Sequence, residues 1–361
     1  MGDLSNAAID YEGSDTMSAI ALTAKPEIGG VSDALKSITI PVPKAGPKEV
    51  LIRLHASAMH ADEIFAAQGT MLGVMGVGVK HATPSKPYVM GSMVSGVVVA
   101  VGSKVTKFKE GDAVISIPAT TGEHGSWADF RTIREDMIMK KPSKLSHVQA
   151  TATAMAACVA LGAIDFTQIT RRDRCLVVGA SGAVGIMMVQ MLKGYGAHVT
   201  GVCSGRNSKL VSDHGADVVI DYTKNDFAEV DVKYDCVFDA VGGKEIERQA
   251  FKALKHRGKF LTVTGPIQYI GERKLSLSEF MCGVAYVCTR YITTKFKKQS
   301  YLFGLKMPYK TIRRAVCMVN SNDMRMPVDK EIPFELGAIK TAVKRLTEHR
   351  TRGRIVVNFN L

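Results

Sequence analysis

One turn, with the strand and helix pattern that continues from it, constrains this chain more than any other feature. The apolar strand Cys175 to Val178 runs directly into GASGAVG, with glycines at Gly179, Gly182 and Gly185, and then into the helical run IMMVQML. Glycine belongs where a chain turns tightly and brings backbone N–H groups up to a pyrophosphate, while the N-terminus of the following helix adds partial positive charge. The spacing is G-x-x-G-x-x-G, which taken alone also fits a ligand-free turn between strand and helix. Further strand patterns favour a dinucleotide: HVTGVC at His198, DVVID at Asp217, YDCVFDAV at Tyr234, KFLTV at Lys259 and SYLFGL at Ser300. Strands alternating with helices at this length form βαβ units. The expectation is an α/β fold with a doubly wound, six-stranded parallel sheet covered on both faces.

A chain of 361 residues is too long for a single core, so a second domain is expected. From Glu49 to about Lys140 short β-rich runs recur between Gly and Pro breakers: VLIRLHA at Val50 to Ala56, SGVVVAVG at Ser95 to Gly102 and DAVISI at Asp112 to Ile117. Such spacing predicts a small barrel. An Ala-rich helix, TATAMAACVALGAI, begins at about Thr151 and leads into the parallel sheet. After Thr311 come a helix, the strand-like DKEIPFE at Asp329, a helix from Leu336 to about His349 and a strand at Ile355 to Phe359, all expected to return to the barrel. The division is therefore a mobile acidic tail over 1–18, the barrel over 19–150, the parallel-sheet domain over 151–311 and the return segment over 312–361.

The second strand of the sheet chooses the cofactor. An NAD-specific site carries Asp or Glu about 20 residues beyond the turn, where the carboxylate meets the adenosine ribose. Here no acid occurs between Asp173 and Asp213, and the strand ends in CSGRNSK, offering Ser204, Arg206, Asn207 and Lys209. Arg matches a 2′-phosphate by fork-shaped, charge-assisted hydrogen bonds, so NADPH is expected over NADH. The alternative is that Arg206 and Lys209 decorate an exposed loop.

Composition narrows the partners less. A net charge of +13 favours anionic partners without choosing among them. Seven cysteines without a close CxxC pair argue against a disulfide framework and a zinc knuckle. The first residues carry Asp3, Asp10, Glu12 and Asp15 and no apolar segment, and Asn6 breaks the myristoylation pattern that Gly2 opens. No targeting signal is read, and a cytoplasmic location is expected. No uninterrupted apolar stretch of about 18 residues signals a membrane span.

Residues from about Glu49 to Phe359 resemble the zinc-independent quinone oxidoreductase (zeta-crystallin) group of the medium-chain dehydrogenase/reductases, and within it the reticulon-interacting-protein-like and plastid-envelope-like members. The runs that carry the resemblance are SGVVVAVGSKVTKFKEGDAV at Ser95, LVVGASGAVGIMMVQMLKGYGAHV at Leu176, GADVVIDYTKNDF at Gly215, DCVFDAVGG at Asp235 and RGRIVVNF at Arg352. It implies a GroES-like β-barrel domain, a Rossmann domain, and a cleft between them where NADPH passes hydride to an activated acceptor. By the same resemblance Gly179, Ser181, Gly182, Ala183 and Val184 hold the pyrophosphate. Ser204, Arg206, Lys209 and Tyr222 face the adenosine end, and Thr264 and Gly265 lie near the nicotinamide. Tyr222 also reads as a half-buried aromatic at a strand end.

Zinc-dependent relatives place Cys, His or acidic ligands in CxxD/H and GHE segments; here the matching segments are MHAD at Met59 to Asp62 and GSM at Gly91 to Met93. Met and Ser there cannot make a catalytic zinc site, so no metal is expected. The zinc-free relatives show NxxD and an acid after the glycine. Met59 replaces that Asn, Met93 replaces that acid, and a tyrosine of the relatives is replaced near Met71. The acceptor pocket is thus expected to be more apolar than theirs. Asp62 and His60 are the catalytic candidates that remain, with His60 either a proton donor or a structural partner of Asp62.

Two functions follow. One is an NADPH-dependent reductase of a quinone, an enone or an enoyl thioester, taking a small hydrophobic carbonyl or quinone substrate. The other is an NADPH-binding regulatory or membrane-surface-associated protein with weak or no catalysis, which the methionines favour. The apolar run FMCGVAYVC at Phe280 precedes a basic cluster, so 280–298 reads either as a peripheral membrane contact or as a helix packed on the sheet. SYLFGLKM at Ser300 reads as an edge strand that pairs two copies into a homodimer, or as an edge shielded by Lys306 in a monomer. No nucleic-acid partner is expected.

Overall fold

The computed structural model describes residues 15–70, 82–116, 125–267, 273–296, 298–304, 309–321, 324–348 and 351–361. Expectations that fall on residues 1–14, Met71, Ile117, Lys297, Lys306, Met307 and His349 lie outside them.

The chain begins with β1 (Thr16–Leu22), α1 (Val31–Ala34), β2 (Leu35–Pro41), β3 (Glu49–Ala58), α2 (Ala61–Gln68), β4 (Tyr88–Val89), β5 (Ser95–Val101), β6 (Ala113–Ser116), β7 (Phe130–Arg134) and β8 (Ile138–Lys140). Then α3 (His147–Thr167) leads into β9 (Arg174–Val178), α4 (Ala183–Gly194), β10 (His198–Cys203), α5 (Ser208–Asp213), β11 (Val218–Asp221) and β12 (Tyr234–Asp239). They are followed by α6 (Lys244–Ala253), β13 (Leu254–Thr262), α7 (Leu277–Phe296), β14 (Ser300–Phe303) and α8 (Tyr309–Ser321). The last elements are β15 (Val328–Pro333), α9 (Leu336–Thr347) and β16 (Arg354–Asn358).

Among the described residues the first and last elements make a three-stranded sheet, β2-β1-β4, and a second sheet, β15-β16-β3-β5-β6-β8, with β7 also on β3. The middle elements make a parallel sheet in the order β11-β10-β9-β12-β13-β14. Its central strands are near-continuous apolar runs because both faces are covered: Leu176, Val177 and Val178 in β9, and Cys236, Val237 and Phe238 in β12, are all buried. The order reverses direction between β9 and β12, and in such sheets ligands bind in the crevice outside the carboxyl ends of the strands at that point.

Three expectations need correction. Order starts before residue 19, since Thr16 to Ser18 already pair with β2 and the Ser18 N–H donates to Asp129 at 2.8 Å. The helix after Thr311 packs chiefly on the parallel-sheet side and reaches the barrel only toward its end, where Asn320 accepts from the Lys144 N–H at 3.4 Å. It is α8, whose Ile312, Ala315, Val316 and Val319 share a core with α3 and α4, while Arg314 pairs with Asp165 at 2.7 Å. The return begins only at β15, because the apolar stripe of α8 fits the small-residue face of α3. The barrel also contains strands that the spacing did not predict, β1, β2, β7 and β8, which are short or partly exposed and so carry weak alternation.

Between the two halves lies α3. The Ser146 hydroxyl caps its start, accepting from the Gln149 N–H at 3.1 Å, and Gln168 ends it in a left-handed conformation. Alanines on every side let it pack closely against β3, β5 and β16 of the barrel and against α4 and α8. It is long and apolar enough to cross a membrane by length and composition, but 78% of its most apolar window is buried inside the protein.

The helix α7 has two different faces. On one, Tyr286 donates to the buried Glu247 carboxylate and Arg290 lies 4.7 Å over the Phe251 ring, tying α7 to α6. The other exposes Leu277, Met281, Val284, Ile292 and Phe296. Each such side chain forgoes about 1.5–3 kcal/mol of burial.

Candidate cofactor and acceptor site

The turn after β9 is held by its own backbone. Gly179 sits at φ +79°, the Gly182 N–H donates to the Gly179 carbonyl at 3.0 Å, and the Ala180 N–H donates to Val202 of β10 at 3.0 Å. A Cβ on Gly185 would lie 2.2 Å from the Gly179 oxygen, so α4 reaches the strand only because that residue has no side chain. The N–H groups of Ala183, Val184 and Gly185 open the first turn of α4, where a helix has no internal acceptors for them, and no side chain caps that end.

Beside this turn the structure brings together Ser181, Ser204 and Asn207. The Asn207 amide donates to the Ser181 hydroxyl at 3.2 Å and to the Ser204 hydroxyl at 3.4 Å, while its buried Oδ1 has no partner. Arg206 is exposed and makes no ion pair among the described residues. The Lys209 ammonium instead holds Asp213 at 2.9 Å on its own helix. Tyr222, 62% exposed, follows β11, and its N–H donates to Cys203 at the end of β10, which sets it next to the same loop. One acid escaped the sequence reading: Asp221 reaches over Gly205, where a Cβ would meet its Oδ2 at 2.4 Å. Hydrogen bonds from the Thr223 hydroxyl and from the Thr223 and Gly205 N–H groups hold its carboxyl below the usual range.

At the switch point β12 ends in Asp239, whose Oδ1 accepts from the N–H groups of Val241 and Gly242, each at 2.9 Å. Burial raises its pKa, and those donors oppose the shift. Thr262 does the same for β13, accepting from Gly265 at 2.9 Å and Thr264 at 3.3 Å, and Gly243 donates to the Gly265 carbonyl at 3.0 Å. Thr264 and Gly265 therefore adjoin the turn after β12, and Val241 of that turn packs on Gly179. The signal for Asp239 was in the sequence, an acid closing a strand before paired glycines.

The barrel side departs from expectation. Met59 and Met93 are both fully buried, Met59 in the cluster with Ile64 and Met90 and Met93 in the cluster with Ala56 and Ile115. His60 caps the start of α2 with its Nδ1 3.9 Å from Asp62 Oδ1, too far for a hydrogen bond, and its Nε2 is buried without a partner. Burial, reinforced by Arg354, holds its pKa well below the ordinary value, so the ring is neutral and has no imidazolium proton to give. Asp62 is half exposed. The group that does meet the Gly91 to Met93 turn is Glu63: its Oε1 accepts from the Ser92 N–H at 3.0 Å and from the Ser92 hydroxyl. Burial, with the neighbouring Asp62 charge, pushes the Glu63 carboxyl up to about 8. Arg131, whose guanidinium donates to the Ser92 carbonyl at 2.9 Å, is lowered by burial to about 10. Buried polar atoms left without partners cost roughly 1–3 kcal/mol each, and Glu63 Oε2, Arg131 Nε, Arg354 Nε and His60 Nε2 are all in that state.

At the Met59 to Asp62 and Gly91 to Met93 segments stand a buried thioether and a hydroxyl engaged by Glu63, and among the described residues no three His, Cys, Asp or Glu side chains are grouped so that they could hold a metal ion.

Comparison with known proteins agrees with this architecture. Residues 46–143 match the alcohol dehydrogenase GroES-like domain family and residues 214–357 the zinc-binding dehydrogenase family. The chain is 30% identical over 331 residues to the mitochondrial NAD(P)H oxidoreductase RTN4IP1 of Danio rerio, covering 87% of this chain and 84% of that one. It is 29% identical over 338 residues to the chloroplastic NADPH-dependent alkenal/one oxidoreductase of Arabidopsis thaliana, covering 92% and 77%. Among solved structures, the quinone oxidoreductase from Coxiella burnetii superposes with a TM-score of 0.77 at 24% identity, over 95% of this chain and 99% of that one.

Proposed function

The chain belongs to the medium-chain dehydrogenase/reductase family of oxidoreductases, and we propose that it uses NADPH, without a metal, to reduce an α,β-unsaturated carbonyl or a quinone. The observation that carries this reading is the turn at Gly179 to Gly182, which sets the uncapped start of α4 at the switch point beside Ser181, Ser204 and Asn207. These residues fit a dinucleotide: the first-turn N–H groups of α4 suit a pyrophosphate, and the orphaned Asn207 Oδ1 suits a ribose hydroxyl. When bound, NADPH supplies the hydride. Gly179, Ser181, Gly182, Ala183 and Val184 hold its phosphates, Ser204, Arg206 and Tyr222 hold the adenosine end, and Thr264 and Gly265 orient the nicotinamide.

NADPH is preferred because Arg206 is unengaged, whereas Lys209 is held by Asp213 and contributes less. Asp221 opposes a 2′-phosphate, but three donors already take up its charge. On the acceptor side the reaction leaves negative charge on oxygen, which the Ser92 hydroxyl and the cations behind it stabilise without a metal. Fluorescence titration with NADPH and NADH, followed by an NADPH oxidation screen against quinones, enones and enoyl thioesters, tests the proposal. Tight binding with no turnover on any acceptor refutes it.

A second copy of the chain covers the bare face of α7 and the open edge of β14, which among the described residues pairs only with β13 and leaves Phe303 half exposed. Light scattering at micromolar concentration should read a dimer, and Met281→Lys with Ile292→Lys a monomer. A wild-type monomer that sediments with anionic vesicles would make this face a membrane contact instead.

A further inference from the structure

A carboxyl from outside the Gly91 to Met93 turn closes onto it. Glu63 comes from the first turn of α2 and engages both donors of Ser92, its N–H and its hydroxyl. Ser92 is partly exposed while Glu63 Oε2 is closed off, so the pair has an outer hydroxyl and an inner acid. The charged and titratable groups that act on that acid or feel it are Asp62 at the start of α2, Tyr88 of β4, Arg131 of β7 and Arg354 of β16, and Arg354 also acts on the neighbouring His60. The two guanidinium groups each keep a buried Nε without a partner.

Resting on the reading above, we propose that Glu63 is the positioning acid of the acceptor site, acting through Ser92 as a two-step proton relay. The hydride adds to the acceptor carbon, and the displaced π pair moves to the acceptor oxygen. With Glu63 protonated, its contact with Ser92 Oγ runs from acid to hydroxyl and frees the Ser92 proton: the acceptor oxygen takes that proton, Ser92 Oγ takes the proton carried on Glu63 Oε1, and Glu63 is left as a carboxylate in the field of Arg131 and Arg354. A proton from bulk solvent then returns to Glu63 through the partly exposed Ser92 hydroxyl. Its raised pKa keeps the acid loaded at neutral pH.

The test follows Glu63→Gln and Ser92→Ala in the full chain. Each should lower kcat with an enone by on the order of 100-fold, leave KM for NADPH within about twofold, and abolish the fall in wild-type rate as pH rises through about 8. Unchanged pH profiles in both variants overturn the relay, and Ser92→Ala decides if Glu63→Gln does not fold. Carbon NMR of chain labelled at the glutamate carboxyls supplies a readout free of turnover. A carboxyl titrating near 8, absent from Glu63→Gln and displaced by added cyclohexenone, is expected even if wild-type NADPH oxidation fails, an outcome that would sink the proposed reaction separately. If no such signal exists, the inference falls.

Discussion

The cofactor side and the acceptor side of this site are built by different means. Around Gly179 the chemistry belongs to the backbone: N–H groups at a helix start, a φ of +79°, and a glycine whose missing Cβ lets α4 touch β9. Around Ser92 it belongs to side chains gathered from α2, β4, β7 and β16. A backbone site fixes where atoms lie but leaves side chains free to choose among nucleotides. A side-chain site depends on which residues several elements bring together, as α2 brings Glu63 to Ser92.

The contrast is sharpest for Gly185→Ala. The new methyl would meet a backbone oxygen that cannot yield without opening the turn, so NADPH affinity should fall by on the order of 100-fold or more, read by fluorescence titration, with the acceptor cluster intact by crystallography. Unchanged affinity would break the claim that backbone geometry carries this half.

Glu63 carries the next largest effect. A carboxyl with a higher pKa folded than unfolded gives stability that is full below about 4.5 and is lost as pH rises through about 8. His60, lowered by burial, acts in reverse: its contribution is full above 6.5 and is lost as pH falls. Thermal melts of wild type and Glu63→Gln should therefore diverge between pH 5 and 8, by a few kcal/mol at most. Parallel curves would show that the acid is not buried as described. Arg206→Glu ranks third and should weaken NADPH about tenfold, roughly 1.4 kcal/mol, while NADH changes little. Equal losses for both cofactors would place Arg206 away from the 2′-phosphate. Smallest of all is metal removal: dialysis against a chelator should leave NADPH oxidation unchanged and elemental analysis should find no stoichiometric zinc. One tightly bound zinc per chain would erase the difference drawn here between Ser92 and a metal ligand.

What was legible follows the same divide. The parallel sheet, its six strand patterns and the turn lay within contiguous runs, so local periodicity and glycine spacing recovered them. Asp62 and His60 were named because motifs are read in sequence, but Glu63, one residue further on, has meaning only through Ser92. Asp221 is not legible from the second strand, where a cofactor-selecting acid is expected, because it closes the third strand and meets Gly205 only in the fold. The boundary of the return segment failed at α8, whose amphipathic pattern does not say which layer it will cover.

The burial of α3 also has a consequence in time. Synthesis runs from the N-terminus, so residues 147–167 leave the ribosome well before α8 and β16, two of the elements that cover them. Until those arrive, the nascent chain displays a helix of 21 residues that bilayer-targeting machinery reads by length and hydrophobicity. The late segments thus act as a deadline: they must dock before the helix is captured. A chain ending before residue 309 never meets it, and is expected in the membrane fraction rather than with the full-length protein when the two are translated side by side with microsomes.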